Sequence, residues 1–462
     1  VSFTWLDLSS YQPGLILLSV KKHLHARMKI LGAGVCLPGR VSGTQGEVYQ
    51  KSKGEEKMAR FGNGFKANSS RRSFLKNGAV VAGAAAAGVG LLTGGLPAFG
   101  RDRDEDDGPP ITKGDIAILT FLSALEQIEE DLWTQYSELG GTQDNEVSGK
   151  MGGNALYTAA LQILDGDMAQ YIHDNTDDEI SHHRFLNNYL VSKGAKPIDL
   201  RPEFAILPSS KADGARHMGR LTNLTQLTID TSFWSRYRSV TNPDFDSNAP
   251  FLQAVPSLNV KQHTAIPRTN ADTAGSKISA DPNNNPNSIS THLQAIAFTA
   301  GFHFAFIEQG GSSLYPVLAQ KATNLEVLRI LLSIGPSETM HFQTWQDKAG
   351  NALPITDTDN VPGGTGATVT FSTLSAALGE TDPESLNGDT LQANLIMPEP
   401  THFIDPALEP VSIIRPTSTK FGGAVASFQS FVDDGLFIGQ KKRFFDLMFD
   451  LANEADNARR QL

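Results

Sequence analysis

The sequence predicts a mainly α fold: a four-helix bundle with a long irregular insertion and a C-terminal extension. Three observations carry this. Two Glu-x-x-His pairs, Glu179–His182 and Glu338–His341, each lie in an apolar-periodic segment. Each pair follows a longer apolar stretch that carries a glutamate, one from Asp115 to Leu139 and one over 292–319. The two halves also share a plan. Glu126-Gln127 and Glu308-Gln309 both come after an apolar turn, and an aromatic follows each glutamate by seven residues, Trp133 and Tyr315.

Taken in order, residues 1–57 contribute no recognisable element. Met58 opens a short n-region, so 1–57 reads as an upstream over-extension of the true start. Residues 58–100 read as a twin-arginine signal peptide. Ser70-Arg71-Arg72-Ser73-Phe74-Leu75-Lys76 is followed by a weakly hydrophobic Gly/Ala-rich stretch to Leu96, then by Ala98-Phe99-Gly100 as a small-residue cleavage site. A membrane anchor is the weaker reading, because the stretch holds little Leu or Ile to drive insertion. No later segment approaches a membrane span. The expected partner is the twin-arginine export machinery and the expected location periplasmic. That route carries folded proteins, so a metal site can be loaded before export. The single cysteine, Cys36, falls upstream, which leaves the exported part without thiolate sites, disulfides or Cys nucleophiles.

Charge divides at the same place. Residues 1–100 hold 13 basic against 4 acidic side chains, and the remainder 26 against 46. An acidic exported region without a basic aromatic patch argues against nucleic acid as a partner.

Residues 101–112 form a charged linker, and 113–350 are long enough for a bundle with a real core. The segment Asp177 to Leu190 has acids at its start and Gly194 past its end, which complements a helix macrodipole. Leu328 to Gly350 forms the matching helix, with Gly335-Pro336 expected to kink or widen it one turn before Glu338. Between the helix pairs, about 196–290, seven prolines and the run Asp281 to Asn287 prevent long elements, with one helical interruption expected from His217 to Arg238. A loop of that length could cap the mouth of the bundle. Residues 351–436 are Gly-, Pro- and Thr-rich with β-like runs such as Ala367 to Phe371. Residues 437–462 read as a terminal amphipathic helix, with Phe444, Phe445, Leu447, Met448 and Leu451 on one side, to pack on the bundle or on another subunit.

The chemistry lies in the pairs. On a helix, residues three apart project from nearly the same face, so a carboxylate and an imidazole can reach one ion. Two such helices, with one glutamate from each of two others, supply six side chains to a pair of metals. Four buried carboxylates without cations would cost several kcal/mol per ion. The expected ligands are therefore Glu126, Glu179, His182, Glu308, Glu338 and His341. Glu179 and Glu338 are expected as bridges, Glu126 and Glu308 as terminal or bridging carboxylates, and the histidines as one nitrogen ligand per metal. Glu129, with Tyr136 seven residues on, competes with Glu126. Glu399–His402 has the same spacing, but Pro398 and Pro400 on either side of Glu399 argue against a helix interior and exclude it as a ligand pair. His183 reads as a surface or outer histidine, and His173, His217, His263, His292 and His303 as structural. The donor set suits two iron ions, or manganese.

Residues from about 112 to 350 resemble the ferritin-like domain of bacterial and fungal proteins related to desiccation-associated plant proteins. The matching segments are Ala124-Leu125-Glu126 through Trp133, Glu179-Ile180-Ser181-His182 with Phe185-Leu186, and Glu338-x-x-His341. The resemblance implies a ferritin-like bundle and an iron site, without an assigned substrate. The long insertion and the Gly335-Pro336 step depart from it. The functional expectation is an exported di-metal protein, di-iron first, that handles O2 or peroxide by redox cycling or acts as a ferroxidase. A manganese-catalase-like enzyme and a non-catalytic structural or stress protein of the same fold stay open, as does homo-oligomerisation. The insertion and extension would obstruct the shell packing of an iron-storage cage.

Overall fold

Three of the four long bundle helices begin at a residue whose side chain caps them. Thr112 and Asp115 form a reciprocal capping box at the start of α1 (Lys113–Gly140). Ser290 caps α5 (Thr291–Ala319), accepting from the Leu293 amide, and Asn324 caps α6 (Leu325–Ala349), accepting from that of Val327. The remaining bundle helix, α3 (Met168–Ser192), has no side-chain cap. Short α2 (Ala155–Leu161) lies between α1 and α3, and the one-turn α4 (Arg201–Phe204) follows them. These elements belong to a computed structural model that describes residues 110–233 (Ser148 excepted), 253–279, 287–372 and 423–461. The signal segment at 70–76 and His402 lie outside the described residues.

The bundle is two helix pairs, α1 with α3 and α5 with α6. The central helix is α5: apolar residues run around its whole circumference and nearly all are buried. α1 is likewise buried nearly all round from Phe121 to Gly140, whereas α3 and α6 bury one face each. In α3 that face is Met168, Ile172, Leu186 and Leu190, continuous with Glu179 and His182. Asp115 also ties the pairs together, since its carboxylate accepts from the amides of Thr323 (2.8 Å) and Asn324 (3.3 Å) in the α5–α6 turn. Gly335-Pro336 does not interrupt α6, which is helical from end to end. Gly335 has a positive use: a Cβ there would lie 2.8 Å from Cβ of Tyr315, so its absence lets α5 and α6 approach.

The expected helix from His217 to Arg238 is corrected over 217–230; Ser232 and Phe233 are helical, and 234–238 lie outside the described residues. Residues 217–230 hold turns and isolated bridges, with no helix. The cause is Asp131 on α1, whose Oδ2 accepts from the amides of Leu221 (2.9 Å) and Thr222 (3.0 Å) and from the Thr222 hydroxyl (2.8 Å). Bridges from Leu207 to Arg220 and from Leu227 to His263 engage further backbone groups with distant partners, so an i→i−4 ladder cannot form. A wholly buried Arg220–Glu138 pair at 2.6 Å fixes this segment along α1.

After α6 the chain forms a two-stranded antiparallel hairpin, β1 (Ile355–Thr358) with β2 (Thr368–Phe371), in register Ile355 to Phe371. Phe371 packs against Phe298 and Phe302 of α5, with centroids 5.4 and 6.0 Å apart. Two C-terminal helices follow, α7 (Ala424–Asp433) and α8 (Lys442–Asn457). α8 buries Phe444 and Met448 and packs on α1, and a Cβ on Gly114 would meet Ala458 at 3.2 Å. No helix among the described residues is long and apolar enough to cross a membrane.

Candidate metal centre

All six expected side chains meet at one buried point between the four bundle helices. α1 contributes Glu126, α3 Glu179 and His182, α5 Glu308, and α6 Glu338 and His341. Around Nδ1 of His182 lie Glu179 Oε2 at 3.1 Å, Glu338 Oε1 at 3.3 Å and Glu126 Oε2 at 3.4 Å. Around Nδ1 of His341 lie Glu179 Oε1 at 3.2 Å, Glu308 Oε2 at 3.3 Å and Glu338 Oε2 at 4.0 Å. Glu179 and Glu338 therefore turn one oxygen to each histidine. Two groupings of potential ligands result, Glu126/Glu179/His182/Glu338 and Glu179/Glu308/Glu338/His341, and they share those two carboxylates.

The donor atoms fit cations better than they fit one another. Glu126 Oε2, Glu308 Oε2, both oxygens of Glu338 and Nδ1 of His341 are buried without a hydrogen-bond partner. Buried polar groups are normally paired, and here the orphans face one volume. In the absence of metal, protons carry the balance. Burial, then the Glu338 carboxylate, pushes Glu179 up to about 7. Burial, helped by the Glu126 and Glu308 charges, pushes Glu338 up to about 8. Burial also raises Glu308. Burial opposes charge on His182, but Glu126 and Glu179 prevail and hold it well above the usual histidine value. The same contest at His341 is decided upward by Glu308 and Asp178.

Glu129 lies one turn beyond Glu126 and is buried, but it belongs to neither grouping. Burial and the Glu126 charge push its carboxyl well above the usual range. His183 is away from the centre, bound to Glu130 at 2.8 Å. His173 pairs with Asp144, His263 with the Ser257 carbonyl, and buried His303 joins Tyr136 to Asp434. His217 is exposed. Two further groups of metal-ligating types occur. Asp144 and Glu146, on the loop after α1, gather against His173, which is buried on α3. In the group Asp272, His292 and Asp359, both carboxylates already pair with the Arg268 cation at 2.7 Å, and His292 lies 3.1 Å from Asp272.

Several supporting residues escaped the sequence reading. Asn175, one turn before Glu179, donates through Nδ2 to Glu179 Oε1 (2.8 Å) and Glu308 Oε1 (3.1 Å), while Trp345 Nε1 donates to its Oδ1 (2.7 Å). Asp178 Oδ2 lies 3.0 Å from Nε2 of His341. The Tyr315 hydroxyl donates to Glu126 Oε1 across the bundle. Gly311 leaves room for Glu338, since a Cβ there would sit 2.7 Å from Oε2. The aromatic echo noted in sequence is unequal in role: Tyr315 reaches a carboxylate, whereas Trp133 stacks on Trp345, centroids 5.2 Å apart.

Four helices converging glutamate and histidine on a buried point define the class, a helical-bundle carboxylate–histidine protein with residues suited to hold metal. Comparison with known families matches residues 114–350, more than half of the chain, to the ferritin-like domain, and the chain belongs to that family. No curated protein and no solved structure matches it.

Proposed function

We propose that the chain is an exported di-metal carboxylate protein, di-iron or di-manganese, that handles O2 or peroxide by redox cycling or acts as a ferroxidase. The observation that carries this reading is the sharing of Glu179 and Glu338 between the two histidines, one oxygen to each. A single-ion site does not require that arrangement. Bound as a pair, iron or manganese would supply two one-electron changes to an oxygen species. The protein's own part is to present the ligands in a fixed, dry setting. Asn175 holds Glu179 and Glu308, and Tyr315 keeps a proton at Oε1 of Glu126. Burial of Glu179, Glu308 and Glu338 excludes bulk water. The arginine pair Arg71-Arg72 supports export in the folded state.

Metal analysis tests the reading. Protein purified from the exported fraction is expected to hold about two iron or manganese ions per chain. Apo protein loaded with each metal separately is expected to consume O2 or peroxide with one of them. Trace metal in the isolated protein, with no uptake on loading, would leave a structural protein of this fold.

A further inference from the structure

The two halves of the centre differ in what stands behind the ligands. On the Glu308–His341 side, Glu179, Glu308 and His341 each have an outer partner. Asp178 accepts at Nε2 of His341, which directs the Nδ1 lone pair inward and raises its basicity. Asn175 bridges the outer oxygen of Glu308 and Oε1 of Glu179, and Trp345 fixes Asn175. This side is prepared before any ion arrives.

On the Glu126–His182 side, Tyr315 orients Glu126. His182, however, makes its polar contacts through Nδ1 alone, and its Nε2 has no partner among the described residues. It is also the most exposed of the six, at 9% against 5% for His341 and 2% or less for the glutamates. In the metal-free protein the ring is held through Nδ1 by the Glu179 carboxylate, and no group among the described residues stands behind Nε2 to fix it once an ion takes Nδ1. An ion binding there must immobilise the ring itself.

We propose that the halves are unequal, with the Glu308–His341 half taking the first divalent cation tightly and the Glu126–His182 half taking the second, exchangeable one. Asp178 and Asn175 are the positioning residues that set the order. This rests on the di-metal reading above and adds to it an order of loading. A protein of this kind would hold one resident ion and complete its pair only when free metal is plentiful.

Titration of the metal-free, exported chain with cobalt(II) under anaerobic conditions tests the order, read by calorimetry and by visible absorption of the bound ion. The wild type is expected to bind two equivalents in separable steps, the first at least about tenfold tighter. Glu308→Ala should abolish the tight step, and Glu126→Ala should leave it while removing the weak one. Asp178→Asn should weaken the tight step by about tenfold or more and spare the second. That side chain is about half exposed, so the variant is expected to fold. Two steps of equal affinity, or a tight step that survives Glu308→Ala and disappears in Glu126→Ala, would overturn the order while leaving the paired site intact. A wild type that binds no cobalt would overturn both readings.

Discussion

Substituting Gly311 with alanine probes the site without touching a ligand. The added Cβ would lie 2.7 Å from Oε2 of Glu338 and 3.1 Å from its Cδ and Cγ. Ordinary carbon contacts are about 3.5–4.0 Å, so the carboxylate must retreat by about 0.8 Å. The fold can accommodate this, because the obstacle is the far end of a side chain, and glycine to alanine within a helix returns about 1 kcal/mol. The site cannot, since ligand constellations tolerate displacements of only about 0.5 Å. Glu338 faces both histidines, so both binding steps should weaken, by about tenfold to a hundredfold, the range seen when ligand geometry loses its support. Gly310→Ala is the control one residue away. Its Cβ would meet Phe431 at 3.6 Å, an ordinary contact. Both variants would be measured by cobalt(II) calorimetry and by thermal melting of the metal-free protein. Gly311→Ala is expected to melt near the wild type yet bind metal poorly, and Gly310→Ala to match the wild type in binding. Wild-type affinity in Gly311→Ala, or equal loss in both variants, would refute the reasoning that Glu338 is a shared ligand held against α5.

His341→Ala should lose at least one metal per chain, whereas His402→Ala should leave metal content unchanged; plasma emission analysis of both decides it. The metal-free protein should lose stability as pH rises through the elevated values of Glu179 and Glu338, about 7 and 8. The sign follows because the native state keeps protons that the unfolded chain releases, and the raised histidines act in the same direction. Melting midpoints at pH 6 and pH 8.5, with and without metal, should therefore diverge, the metal-loaded protein escaping the alkaline loss; parallel behaviour would contradict it. Arg71→Lys with Arg72→Lys should retain the precursor in the cytoplasm, as judged by fractionation, because the export receptor reads the arginine pair and charge alone does not satisfy it.

The six converging residues were legible because helical geometry makes them so. Glu179 with His182 and Glu338 with His341 share a face by spacing alone, and the apolar residues around them state which face is inward. The repeat of the plan in two halves then supplied Glu126 and Glu308. The choice between Glu126 and Glu129 is open in sequence, since Glu129 has Leu122, Leu125, Leu132 and Trp133 at helical spacing. It depends on how α1 is rotated against α3, a packing quantity.

Tertiary structure alone decided the rest. Asn175, Asp178, Tyr315 and Gly311 act across gaps between helices, and no local pattern marks a residue whose partner is 133 or 189 positions away. The segment from His217 has the local character of a helix, yet three bonds to one carboxylate, Asp131, hold part of it in an irregular course. The sequence by itself determined which faces must be buried, because side-chain period and polarity are local properties. Which buried groups meet, and which half of the centre is better prepared for metal, depended on distances that exist only once the helices have packed.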